Sequence, residues 1–176
     1  GDLLDGQPEA PTYFAMMKKL NKVERPLLTE VPKHKVLNTT EFINVYEEGM
    51  LVIDARNKVD FANGYLPNSI NIQGNNSFAN WMGWIVKYDQ PFVVIAKEAD
   101  IEDLTRKLMR IGMDNIFAFF VDLDQLENSL LKVDGITIDE FESYLGSEDI
   151  QLVDVRNISE FSGGHVKGAV HHFVGT

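Results

Sequence analysis

The chain repeats part of itself. Leu51–Ile72 reads LVIDARNKVDFANGYLPNSINI, and Gln151–His172 reads QLVDVRNISEFSGGHVKGAVHH, at an offset of 100 residues with no gap. Asp54, Arg56, Asn57, Phe61 and Gly64 return as Asp154, Arg156, Asn157, Phe161 and Gly164. Upstream, Glu41-Phe42 returns as Glu140-Phe141 at an offset of 99. A period of that length exceeds a solenoid unit and suits two copies of one small domain. The chain therefore divides into a connector over 1–34, a complete unit over 35–133, and the N-terminal half of a second unit over 134–176.

Hydrophobic patterning gives the fold class. Leu51-Val52-Ile53 and Phe92–Ala96 are unbroken apolar runs, as in strands buried on both faces of a parallel sheet. Ser69–Ile72 and Asn115–Val121 read as further strands. Between them come a helix capped by Thr39 or Thr40 and ended by Gly49, short helices over Lys58–Asn63 and Phe78–Val86, a helix over Asp100–Ile111, and a last helix over Asp122–Leu131. Trp81, Trp84 and Ile85 are expected on one face of the Phe78–Val86 helix. Asp103 stands three residues after Asp100, an acidic variant of the capping box. Strands alternating with helices over short connections predict an α/β fold with a mainly parallel central sheet. The second copy repeats the helix as Asp139–Leu145, the buried strand as Ile150–Val153, the short helix as Ile158–Ser162 and the next strand as Ala169–Val174.

The connector holds Gly1, Gly6, Pro8 and Pro11, then a helix over Tyr13–Val23 capped by Thr12, with Phe14, Met17 and Leu20 in one stripe. A helix this short needs something to dock on. Pro26 and Pro32 bracket a further extended stretch with Arg25, Lys33, His34 and Lys35, in which His34 reads as exposed.

Net charge is −11 with a pI of about 4.7, so no basic patch for nucleic acid is expected. There is no cysteine in the chain, which removes disulfides, thiolate metal ligands and thiolate nucleophiles together. No apolar run approaches the roughly 20 residues of a membrane span, and no signal peptide opens the chain, so a cytoplasmic location without membrane contact is expected.

Asp154 and Arg156 lie two residues apart at the end of a strand and point to one side. They read as a structural ion pair before a catalytic one. The same holds for Asp54 and Arg56. Gly164 and Gly168 permit turn conformations, and His165 is placed to bond nearby backbone. His171 and His172 are adjacent strand residues that face opposite sides, a poor arrangement for one metal.

Asp154-Val155-Arg156, then Glu160-Phe161 and Gly164-His165-Val166-Lys167-Gly168-Ala169, resemble the N-terminal half of rhodanese-like domains. The first copy departs from the pattern, with Tyr65 for the His and Asn68-Ser69 for Gly-Ala. The resemblance implies a three-layer α/β/α fold and, in active members, a catalytic Cys after the fourth strand in a pattern like C-x-x-G-x-R-[ST]. At that position the chain has Ala96, and the loop runs Ala96, Lys97, Glu98, Ala99, Asp100, Ile101, Glu102. It lacks Cys, Gly, Arg, Ser and Thr. Its acids are unsuited to a helix N-terminus that cradles an anion.

Gln7-Pro8-Glu9-Ala10-Pro11-Thr12-Tyr13-Phe14, and later Asn21, is similar to the interdomain connector of fusions. These join a metallo-β-lactamase-fold persulfide dioxygenase to a degenerate rhodanese-like domain and then a catalytic one. That resemblance implies a silent module from a sulfur-handling protein. Its partners would be an upstream metallo-β-lactamase-fold domain and the remainder of the second rhodanese-like unit, with a homo-oligomer as another way to cover the half unit. Iron or zinc is implied only for the upstream domain, and no cofactor or metal for these residues. A free-standing protein-interaction or regulatory module is the alternative, with the Trp81/Trp84 helix and the Tyr13–Leu20 stripe as its surfaces. A carboxylate enzyme using Glu98, Asp100, Glu102 and Asp103 is a third, set against their plainer role in capping and solubility.

Overall fold

The computed structural model describes residues 13–20, 22–23 and 30–174. They fall into two compact units divided between Val133 and Asp134. Thr12, Asn21, Arg25, Pro26 and the connector before Tyr13 lie outside the described residues.

The first unit is a five-stranded, wholly parallel sheet in the order β1-β5-β4-β2-β3. The strands are β1 Val36–Leu37, β2 Leu51–Asp54, β3 Ile70–Asn71, β4 Phe92–Ile95 and β5 Ile116–Phe120. β4 lies at the centre with all four side chains buried, paired Leu51↔Phe92 to Asp54↔Ile95 on one edge and Val94↔Phe119 on the other. Unbroken apolarity is what a strand covered on both faces requires. One core layer gathers Ile53, Phe78, Met82, Phe92, Val94, Leu104, Leu108 and Phe119. The other gathers Leu37, Phe42, Val52, Leu66, Val93, Ile95 and Phe120.

Helices cover both faces: α1 Tyr13–Leu20, α2 Thr39–Glu47, α3 Lys58–Asn63, α4 Phe78–Ile85 and α5 Ile101–Arg110. α2 is capped by Asn38 rather than by Thr39 or Thr40. The Asn38 side chain accepts the Glu41 N–H at 3.0 Å, and the Glu41 carboxylate accepts the Asn38 N–H at 3.1 Å. Asn57 caps α3 by accepting from Val59 and Asp60.

Other expectations are corrected by packing. α4 does not turn its tryptophans inward. Its buried residues are Phe78, Met82 and Gly83, with Trp81 exposed and Trp84 partly so. Gly83 is there because Tyr13 is: a Cβ on Gly83 would come within 2.4 Å of the Tyr13 ring. α1 therefore docks through Tyr13 and Met17, not along a Phe14–Leu20 stripe, and the Tyr13 hydroxyl donates to Asn80 at 2.8 Å. Phe14 is left exposed. α1 stops at Leu20, short of Val23.

Asp100 and Asp103 make no capping box. A 3-10 turn, Glu98–Asp100, leads into α5, no side chain caps it, and the Asp103 carboxylate pairs with Lys107 at 2.7 Å. The expected last helix is a kinked 3-10 segment, Leu123–Ser129. His34 is half-buried against Phe119, with ring centroids 5.8 Å apart. Burial lowers its pKa, and the Asp114 carboxylate opposes that shift. β1, two residues long, has no counterpart in the sequence reading.

The second unit holds α6 Ile138–Tyr144, β6 Val153–Asp154, α7 Ile158–Gly163 and β7 Val170–His171, with β6 and β7 paired in parallel. Its strand pairing, Val153↔Val170 and Asp154↔His171, reproduces Ile53↔Ile70 and Asp54↔Asn71. The strand expected at Ile150–Val153 is shorter, and Ile150 and Val153 are exposed rather than buried. No helix among the described residues is long and apolar enough to cross a membrane.

Gly83→Ala should loosen α1. The gain in helix propensity is about 1 kcal/mol, but displacing the buried Tyr13 ring forfeits about 2 kcal/mol of apolar burial. A lower thermal midpoint and faster proteolysis after Tyr13 are expected. An unchanged or raised midpoint would refute the seat.

Candidate functional site

Ala96 follows directly on β4, on the carboxyl side of the parallel sheet where open α/β folds bind ligands. Ala96 is buried, and its N–H donates to the Phe120 carbonyl at 3.1 Å. Two clefts meet over it. One, of about 280 Å³, runs toward Asn57, Gln73–Asn75 and the start of α5. The other, of about 540 Å³, runs toward Val121 and the 3-10 segment through Asp124 and Glu127. Arg56, Asp60, Ala96 and Lys97 line both.

Of the seven loop residues, Ala96, Lys97 and Asp100 face the clefts. Glu98, Ala99, Ile101 and Glu102 do not line them. Glu102 instead pairs with Arg106 at 2.7 Å, and the Ile101 carbonyl accepts the Thr105 hydroxyl at 2.8 Å. The amides of Gln73 and Asn75 were not singled out by sequence, whereas Asn57 stands in the repeat. The one sequence signal for Gln73 and Asn75 is position, after the strand that follows the repeated Asp-x-Arg-Asn.

Arg56 faces the cleft but is engaged elsewhere. Its Nε and Nη2 donate to both oxygens of Asp54 at 2.6–3.1 Å, and Nη2 also donates to the Gly64 carbonyl at 2.6 Å. The Asp54 carboxylate is wholly buried, and it also accepts the Arg56 backbone N–H at 3.0 Å. This ties the end of β2 to the end of α3. Asn71 holds the same turn from β3, donating to the Asp54 and Arg56 carbonyls at 2.9 Å. Lys107 is likewise turned inward, to the Gly74 carbonyl at 2.8 Å and to Asp103.

Among the described residues that leaves Lys97 as the cation lining the clefts without an ion-pair partner, against Asp60, Asp100, Asp103, Asp124 and Glu127. An anionic substrate meets net negative charge there. Among the described residues neither cleft is lined by Cys, Ser, Thr, His or Tyr, so nucleophilic chemistry there is left to carboxylates and the exposed Lys97.

The second unit builds the same lock. Arg156 donates to Asp154 at 2.6–3.1 Å and to the Gly164 carbonyl at 2.8 Å. His165 Nδ1–H donates to the Phe161 carbonyl at 2.8 Å, and its ring stacks on Phe161 at 3.8 Å. His171 Nε2–H donates to the Arg156 carbonyl at 2.7 Å, the task Asn71 performs in the first unit. The difference is cover. The Arg and Asp side chains are 17% and 0% exposed in the first unit, and 45% and 12% in the second.

A family model described as "Rhodanese-like domain" matches residues 38–120 and 137–174. Among solved structures, the chain is similar to a metallo-beta-lactamase from Staphylococcus aureus subsp. aureus COL, with 29% identity and a TM-score of 0.56 over 68% of this chain and 33% of that one. The chain thus spans about a third of that protein's length. It also matches an anaerobic ergothioneine biosynthesis enzyme from Chlorobium limicola (13% identity, TM-score 0.48, 80% of this chain and 41% of that one). A thiosulfate sulfurtransferase from Pseudomonas aeruginosa matches at 14% identity, TM-score 0.46, over 91% and 36%. None of the curated proteins matches.

Arg56→Ala should cost about 3 kcal/mol or more, because it strands a buried carboxylate, whereas Arg156→Ala should cost much less; denaturant melts of both variants check the contrast. In the second unit the hydrogen bonds from Arg156 hold the Asp154 carboxyl down to about 2. Its folded value lies below the unfolded one, so its contribution is complete above the ordinary carboxylate range, declines as pH falls below that range, and is gone once pH has fallen through about 2. An NMR titration of Asp154 should give that midpoint, rising toward about 4 in Arg156→Gln.

Proposed function

The chain belongs to the rhodanese-like domain family, and from that premise we propose that its complete unit is a catalytically silent member with a structural and docking role in a sulfur-handling protein. One observation carries this: Ala96 occupies the end of β4, where the chemistry of the family needs a thiolate. A methyl group cannot carry sulfane sulfur. Among the described residues no neighbouring side chain replaces it, since the lining offers no thiol, hydroxyl or imidazole. The surrounding acids oppose the anion that such a site must hold.

The parent, in this reading, joins an upstream metallo-β-lactamase-fold domain to this module and then to a second rhodanese-like unit. The likeness to the Staphylococcus aureus metallo-beta-lactamase, whose chain is three times as long as the matched part, supports a larger parent of that kind. Any iron or zinc belongs to the upstream domain. The partners of the module are that domain and the remainder of the second unit. Its work is to space and seat them, and α1, docked through Tyr13 on α4, is the element that would hold the upstream connector.

A second reading, a free-standing interaction module, is favoured by the exposure of Phe14 and Trp81 on α1 and α4. Substituting both by Ser would abolish partner capture on that reading and leave it intact on the first.

The full chain should show no thiosulfate:cyanide sulfurtransferase turnover above a protein-free blank. Turnover that survives repurification and is lost in no Ala96 variant would place the chemistry elsewhere and end the reading. Ala96→Cys tests the electrostatic half of the argument. Its thiol should react with an alkylating agent at neutral pH no faster than free cysteine, since the cleft carboxylates outnumber the Lys97 ammonium beside it. A thiol with depressed pKa would show a competent cradle.

A further inference from the structure

The chain holds a single Asn-Gly pair, Asn63-Gly64, and it stands at the corner that Arg56 closes. The second copy has Gly163 in place of Asn63 and carries no amide there. An Asn followed by Gly is the pair most prone to cyclise, because the next backbone nitrogen has no Cβ beside it to hinder attack and the backbone turns freely.

The two halves of the pair are held very differently. Asn63 is the last residue of α3, exposed, and lines the wider cleft together with Asp60, Asp124 and Glu127. Gly64 is buried. Its N–H donates back to the Phe61 carbonyl at 3.1 Å, and its carbonyl accepts from Arg56 at 2.6 Å. Leu130 lies so close that a Cβ on Gly64 would come within 3.1 Å of its side chain. Just beyond, Tyr65 and Leu131 exchange two backbone hydrogen bonds, at 2.8 and 2.9 Å. The Asn63 carboxamide is thus open to water. The nitrogen that would attack it is turned away along the helix and pinned from three sides.

We infer that Asn63 is a site of spontaneous deamidation, guarded by the contacts that hold Gly64. When the last turn of α3 opens, the Gly64 nitrogen gives its proton to hydroxide and attacks Asn63 Cγ. The new C–N bond closes a five-membered succinimide, the carboxamide C–N bond breaks, and ammonia leaves. Water then opens the ring at either carbonyl, leaving aspartate or isoaspartate at position 63. Both products alter the corner. The new carboxylate stands at the carbonyl end of α3, where the helix dipole opposes it, and adds negative charge beside Asp60, Asp124 and Glu127. Isoaspartate also lengthens the main chain by one carbon, which carries the Gly64 carbonyl away from Arg56. The inference stands whether or not the complete unit is silent.

The test is to age the full chain in mildly alkaline buffer and follow position 63 by peptide mapping that separates asparagine, aspartate and isoaspartate. Conversion in the native chain should run roughly tenfold to a hundredfold slower than in the guanidinium-denatured chain, as a locally opening helix end allows. Leu130→Ala, which loosens Gly64 without touching Arg56, should speed the native rate at least about threefold. Asn63→Gln, whose longer side chain cyclises far less readily, should show no conversion and melt as the fresh protein does. The aged isoaspartate form, separated by anion exchange, should unfold at lower denaturant than the fresh chain. Four results would overturn the inference. Native conversion as fast as in the denatured chain would remove the guard. No native conversion over about a hundred denatured half-lives would remove the site. Equal rates in Leu130→Ala and the unsubstituted chain would show that Gly64 is held by something else. An aged form as stable as the fresh one would separate the modification from the corner.

Discussion

The bidentate bond from Arg56 to Asp54 is the contact on which the rest of the unit depends. It closes the end of β2, reaches across to the Gly64 carbonyl, and so sets where α3 stops and where the chain turns toward β3. The geometry returns almost unchanged at Arg156, Asp154 and Gly164, although that unit has far less core around it. A local lock of this kind forms from residues two and eight apart in sequence, so it needs little long-range closure. The buried sheet is then built on a preset corner. The same bond explains the character of the site. The guanidinium that lines both clefts has its charge and its donors directed into the scaffold, and contributes little attraction to an incoming anion.

The silence proposed for Ala96 is therefore more than one missing atom. Active sites on this architecture need a nucleophile, an electropositive rim and a receptive helix start at the same place. Here β4 delivers a methyl group. The turn Glu98–Asp100 and the first turn of α5 deliver carboxylates, and Lys107 is drawn back to the Gly74 carbonyl. The scaffold is intact, while Ala96 offers no nucleophile and Arg56 and Lys107 are bonded to the scaffold. That pattern suits a domain retained for its shape.

The parts of the fold legible in the sequence were those with strong local signatures. Phe92–Ile95 is continuous and apolar because both faces are covered. The repeated Asp-x-Arg-Asn announced the corner, and Asn57 and Asn157 cap α3 and α7 as their short side chains allow. What could not be read was set by contacts distant in sequence. Val36–Leu37 is too short for any period to mark it, and becomes a strand only because Phe119 and Phe120 offer an edge. Spacing placed Trp81, Trp84 and Ile85 on one face of α4, but which residues go inward was decided by the room that Tyr13 takes at Gly83. Within the site, Ala96 and Lys97 were legible from the strand that leads to them. Gln73 and Asn75 were not, because only the parallel crossover from β3 brings that loop beside α5.

One turn holds a further lesson. Asn68 adopts φ +60° and Gly168 adopts φ +89°, at the same place in the two copies. Of the residues with side chains, Asn is among the few that enter this left-handed region at modest cost. The first copy therefore holds with Asn the conformation that the second holds with Gly. A divergent repeat can be aligned on such a backbone position when its chemistry has gone. A search for further worn copies of this domain should accept Gly, Asn or Asp there, and let the strand before it and the corner upstream supply the remaining anchors.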